Sequence, residues 1–183
     1  MLRLLTLLAV ATAVLSDSGK TTRYWDCCKV SCGWNDKADF SAPVRSCQRD
    51  GRTAIDKNAQ SGCNGGNSFV CSSNQPWAAN DNLSYGFAAG HLKGKSERDS
   101  CCACYELTFT SGPVAGKKVQ VTNTGSDLGE NHFDFKLPTE LQPGCRWRFD
   151  WFKNADNPTM NFRRVKCPTA ITNKTGCRRK DDK

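Results

Sequence analysis

Twelve cysteines lie between Cys27 and Cys177, and they constrain this 183-residue chain more than any other feature. An even set at this density reads as a disulfide framework formed in an oxidising compartment. Zinc binding is the competing use. Cys27-Cys28-Lys29-Val30-Ser31-Cys32 and Cys101-Cys102-Ala103-Cys104 do not repeat the paired C-x2-C spacing of a zinc site, and only His91 and His132 are available as partners. No metal is expected.

The N-terminus reads as an export signal. Arg3 precedes an apolar run from Leu4 to Leu15, with small residues at Ala11, Ala13 and Ser16. The run is too short to cross a bilayer and has the flanks of a signal peptide. Cleavage is expected between Ala13 and Gly19. The division is then a leader over 1–18 and a single catalytic domain over 19–183, secreted to the extracellular space. No later segment is apolar enough to span a membrane. The sequons Asn82-Leu83-Ser84 and Asn173-Lys174-Thr175 fit a secreted surface. The net charge of +8 is scattered, and its one cluster, Arg178-Arg179-Lys180, runs into Asp181 and Asp182. That is a solvated tail, so no nucleic-acid partner is expected.

Periodicity favours strands. Tyr105, Leu107 and Phe109 alternate with polar residues, Ser111 to Gly116 is rich in turn residues, and Lys117 to Asn123 alternates again, the signature of a hairpin. Trp147, Phe149 and Trp151 alternate with Arg146, Arg148 and Asp150 and read as a strand. Met160 to Val165 reads as another. Ser41 to Ser73 reads as an irregular, disulfide-held loop region, and Asp81 to His91 as a short helix. The sum is a mainly β domain with its edges covered by closure.

Two stretches carry candidate chemistry. In Tyr24-Trp25-Asp26, an extended chain puts Tyr24 and Asp26 on one face. In His132-Phe133-Asp134-Phe135, the phenylalanines face the core while His132 and Asp134 share the other side. Partial desolvation there raises a carboxyl pKa, as a general acid requires. Inverting glycoside hydrolysis needs one protonated and one ionised carboxyl roughly 6.5–9.5 Å apart. By residue pattern alone, a solvent-facing Asp26 at a strand end and an ordinary half-buried strand with a polar outer face around Asp134 are the favoured description. A G-x-S-x-G elbow and phosphate-binding glycine loops are absent, and oxidised cysteines are poor nucleophiles.

TTRYWDCCKVSCGW at Thr21–Trp34 closely resembles the opening of glycoside hydrolase family 45, the small fungal-type endoglucanases. CCACYELTFTSGPVAGKKV at Cys101–Val119, GSDLGENHFDF at Gly125–Phe135 and CRWRFDWFKNADNP at Cys145–Pro158 extend the resemblance over nearly all of the mature chain. It implies a six-stranded double-psi β-barrel with disulfide-stapled loops and an open groove. It implies cellulase activity, the endo-hydrolysis of β-1,4-glucan with inversion, by a monomer without cofactor. By the same resemblance Asp26 is the general base and Asp134 the general acid. Asp127 is an auxiliary aspartate, Tyr24 and Trp34 contact glucose units, and His132 supports the acid. The implied disulfides are Cys28–Cys63, Cys32–Cys101, Cys47–Cys71, Cys102–Cys177 and Cys104–Cys167.

One departure stands out. Between Asp134 and Cys145 the family carries a long glycine-rich stretch with two further cysteines, whereas here Phe135 to Gly144 closes the gap directly. Cys27 and Cys145 thereby lose their partners, and are expected to pair with each other or stay free. The shortening keeps alternatives open. One is a non-hydrolytic, expansin-like glucan-binding or wall-loosening protein, although such proteins lack a counterpart of Asp26. Another is an inactive variant, and a third a cysteine-rich structural protein.

Overall fold

The computed structural model describes residues 16–136 and 146–182, with only the backbone described at Asp127 and Leu128. The apolar leader run and Cys145 lie outside the described residues. Among the described residues there are nine strands: β1 (Asp17–Tyr24), β2 (Ser46–Cys47), β3 (Phe69–Val70), β4 (Trp77–Ala78), β5 (Leu83–His91), β6 (Cys104–Phe109), β7 (Lys118–Glu130), β8 (His132–Lys136) and β9 (Thr159–Val165). Two short helices among the described residues are α1 (Glu97–Ser100) and α2 (Thr169–Thr175).

Six strands close on themselves in the order β5-β7-β6-β9-β1-β8, because β5 pairs with both β7 and β8. The pairs β1–β8 and β5–β7 are parallel and the rest antiparallel. This is the expected double-psi β-barrel, and closure leaves its six strands without a free edge. β4 adds outside β5, and β2 and β3 form a separate ribbon in the expected irregular region.

The alternating residues fill the barrel as expected. Tyr105, Leu107, Phe109, Val119, Val121, Phe133, Phe135, Met160 and Phe162 share one core. Phe135 and Phe133 are wholly buried. Each such side chain contributes about 1.5–3 kcal/mol by leaving water. A second cluster packs Val44 and Ala38 around Cys32, Cys101, Cys102 and Cys177. The described disulfides are Cys28–Cys63, Cys32–Cys101, Cys47–Cys71, Cys102–Cys177 and Cys104–Cys167, as the resemblance implied. Cys27 is exposed and free. Asn82 and Asn173 are both exposed.

Two elements differ from the sequence reading. Leu83–His91 is strand β5, not part of a helix. Gly86, Ala88, Ala89 and Gly90 give it little β-propensity, but it is wedged between β7 and β8. Small residues are required there: a Cβ on Gly90 would stand 3.2 Å from the Phe133 ring. Trp147–Trp151 is a single wide helical turn, not a strand. Trp147 and Trp151 stack with ring centroids 5.8 Å apart, while Phe149 points outward and is 54% exposed. Spacing by four, which a helical turn places on one side, overrides the alternation.

Candidate active site

The candidate site forms where β1 and β8 lie side by side. Their parallel register sets Thr22 opposite Asp134 and Tyr24 opposite Lys136. Continued as a straight strand, β1 would carry Asp26 about 13 Å past Thr22. Instead β1 ends at Tyr24. Asp26 then caps a local turn, its Oδ1 accepting the Cys28 amide at 2.9 Å. Such side-chain-to-backbone bonds are how aspartate closes a turn. The Cys28–Cys63 disulfide fixes the segment two residues further on.

Asp26 and Asp134 both line one cleft of about 300 Å³. Tyr24, Ser31, Ala89, Thr124, Gly125 and Ser126 contribute to its walls. Asp134 is half-buried between the fully buried Phe133 and Phe135, so its backbone is held by the core while its carboxyl faces the cleft. Asp26 is exposed. One anchored and one solvated carboxyl is an arrangement suited to dividing acid and base roles.

Two lysines, neither singled out in the sequence, sit beside the pair. Lys136 follows Asp134 by two residues on β8 and is only 1% exposed. Its ammonium donates to the Asp26 carbonyl oxygen and lies 4.7 Å from the centroid of the Tyr24 ring. Burial pushes its pKa down, against the opposing pull of Asp26. Lys29 donates to the carbonyls of Lys57 and Ala59 at 2.6 and 2.9 Å. Burial lowers its pKa as well, with Asp56 acting the other way. Asn123 is a third unforeseen residue. Its side chain bonds Gly90 both ways at 3.0 Å and accepts the Gly125 amide at 3.1 Å. It braces the register shifts of β5 around Ala89, and bulges of this kind often re-aim side chains beside active sites.

The remaining expected residues are distributed unevenly. Tyr24 lines the cleft with the aspartates. Trp34 is not among the lining residues, and its ring is covered by the Lys29 ammonium at 3.4 Å. His132 shares the strand of Asp134 but lines a separate hollow with Lys20, Glu130 and Asn131. The side chain of Asp127 lies outside the described residues. Among the described residues, the one group of three potential metal ligands is Cys32, Glu97 and Cys101. Both of its sulfurs are consumed in a disulfide.

The family model for glycosyl hydrolase family 45 matches residues 18–140 and 136–178. The chain belongs to glycosyl hydrolase family 45. An endoglucanase of Cryptopygus antarcticus is 47% identical over 211 residues, covering 93% of each chain. An endoglucanase of Phaedon cochleariae is 38% identical over 206 residues, covering 89% of this chain and 85% of its own. The crystal structure of the cellulase from the Antarctic springtail superposes with a TM-score of 0.85 at 46% identity, covering 91% of this chain and 99% of that one. This family 45 chain matches its family model in two pieces that overlap at 136–140, just beyond Asp134. The springtail alignment is longer than the 183 residues present, so that relative carries residues this chain lacks.

Proposed function

We propose that this family 45 hydrolase is a secreted endo-β-1,4-glucanase that cleaves cellulose-type glucans with inversion. Asp26 serves as general base and Asp134 as general acid. The observation that carries this reading is the convergence of both carboxyls on one open cleft.

In this mechanism Asp134 gives its proton to the glycosidic oxygen as the C1–O bond breaks. Asp26 takes a proton from a water attacking C1 from the opposite face, and the product anomer is inverted. The next turnover needs a proton moved from Asp26 to solvent and another returned to Asp134. Tyr24 offers a ring face to a glucose unit. Asp127, Trp34 and His132 retain their assigned supporting roles, with Trp34 and His132 acting from outside the cleft lining. Secretion follows removal of the N-terminal leader, and the described disulfides fit an oxidising compartment. The working form is a monomer with a glucan as its sole partner.

The test is reducing-end release from soluble cellulose derivatives by the wild type, Asp26→Asn and Asp134→Asn. Loss of activity in both variants supports the assignment, and unchanged activity in either removes it. A non-hydrolytic glucan-binding protein is the second reading, favoured by the break in the family match at 136–140. Tight binding of cello-oligosaccharide with no reducing ends from the wild type establishes that reading instead.

A further inference from the structure

Lys136 is a buried charge that the acid and base steps do not use. It is 1% exposed, and lysine is seldom buried to that degree without a partner. It lies two residues after Asp134 on β8, and strand alternation puts the two on one face. The parallel register sets Lys136 opposite Tyr24, the last residue of β1. From there its ammonium reaches past the end of β1. It donates to the Asp26 carbonyl oxygen and stands 4.7 Å from the centroid of the Tyr24 ring.

Other ties hold the turn that carries Asp26. Its Oδ1 accepts the Cys28 amide at 2.9 Å, the Val70 amide donates to the Cys27 carbonyl at 3.1 Å, and Cys28 is bridged to Cys63. The first is internal to the turn. The other two lead to β3 and to the disulfide-held region around it. None of these three leads to the strand of Asp134. The Lys136 bond does, because it starts two residues from one carboxyl and ends on the backbone of the other. A methionine would fill the same space without the cost of burying an ammonium. What lysine adds is a donor aimed at the Asp26 carbonyl.

We propose that Lys136 is a positioning residue for glucan hydrolysis, holding the backbone of Asp26 at the separation from Asp134 that an attacking water requires. The inference rests on the proposed glucanase activity. Lys136 does not touch the reacting atoms. Its effect runs through Asp26, since Asp134 has its own anchorage between the wholly buried Phe133 and Phe135. An inverting pair works only with room for one water between its carboxyls, and small errors of placement cost large rate factors.

Two substrates test this. Lys136→Met is assayed on a soluble cellulose derivative and on a dinitrophenyl cello-oligosaccharide. The aryl leaving group departs without a proton from Asp134, but its displacement still needs a water activated by Asp26. The expected result is a fall in kcat of about tenfold on both substrates, with KM unchanged. Lys136→Met combined with Asp26→Asn is expected to be no slower than Asp26→Asn alone, because a base that has been removed cannot be misplaced. Lys136→Gln keeps an N–H donor on a shorter stem, and its rate is expected to fall between the wild type and Lys136→Met. A wild-type kcat in Lys136→Met, a loss confined to the cellulose derivative, additive losses in the double variant, or a Lys136→Gln no faster than Lys136→Met would overturn the proposal. If Lys136→Met does not fold, Lys136→Gln is judged on the same two substrates and the same cycle. A wild type inert towards both substrates overturns the glucanase reading and this inference with it. With an active wild type, the Lys136 variants decide this inference alone.

Discussion

Asp134 faces the cleft from a strand position opposite Thr22, while Asp26 reaches the same cleft from a turn that begins where that neighbouring strand ends. The first carboxyl is placed by the barrel core and the second by a disulfide-held turn. Replacing either by asparagine keeps its shape and removes its proton chemistry. Each substitution is expected to lower kcat at least about a hundredfold, the usual range for one general acid or base. Reducing-end assays measure the loss, and proton NMR of the first product reports its anomer. A retained β-anomer would reject the inverting mechanism.

Lys136 gives an opposite pairing of stability and activity. Its depressed pKa means that folding either desolvates the ammonium or releases its proton. The resulting penalty is complete below the folded-state pKa and disappears above the unfolded value of about 10.4. Lys136→Met is therefore expected to raise Tm at pH 7, with the gain shrinking as the solution is made alkaline. The same variant loses the bond to the Asp26 carbonyl and the contact with Tyr24, so its kcat falls. Thermal unfolding at pH 7 and pH 11 checks the first part, and an equal or lower Tm at pH 7 refutes it.

Glu106 stabilises the barrel wall in the ordinary acidic sense. Burial alone would raise its pKa. Gln120 at 2.9 Å, Arg163 at 2.7 Å and the charge of Lys118 outweigh that and lower it. A depressed carboxyl contributes stability above its unfolded pKa and loses it as pH falls through the folded one. Glu106→Gln is expected to lose about 1–3 kcal/mol at neutral pH. Denaturant titrations of both proteins should converge below the usual carboxylate range. A constant difference across pH would contradict the assigned ionisation.

The disulfide Cys32–Cys101 closes a sequence separation of 69 residues and sits at the centre of the second core. Converting both cysteines to serine is expected to cost about 2–5 kcal/mol in equilibrium unfolding. Cys27 supplies an internal control, being exposed and free. An alkylating reagent should label it in the native, non-reduced protein, and mass spectrometry of the peptide reads the result. An unlabelled Cys27 would show that it is bridged.

The hairpin of β6 and β7, strand β9 and the phenylalanine spacing of β8 were legible because each alternates on its own. Asp26 and Asp134 were legible as a pair through the motifs around them, not through spacing. Glu97 had no signal at all, since its partners Ser31 and Lys37 are scattered along the sequence. Lys136 looked like an ordinary strand-end lysine, and Asn123 like an ordinary strand residue. Trp34 carried a motif, yet the lysine five positions earlier occupies its ring.

The amino-acid order by itself determined the family, the half-cystine framework and the local alternation that commits most strands. These are short-range or motif properties, expressed before the chain closes. Only the tertiary structure decided that Leu83–His91 is a strand and that Trp147–Trp151 coils, because neighbouring strands and stacked rings outweighed weak local preference. It alone decided which carboxyls share a cleft and which lysines lose their water. Proximity and desolvation arise between residues far apart in sequence, and no local pattern encodes them.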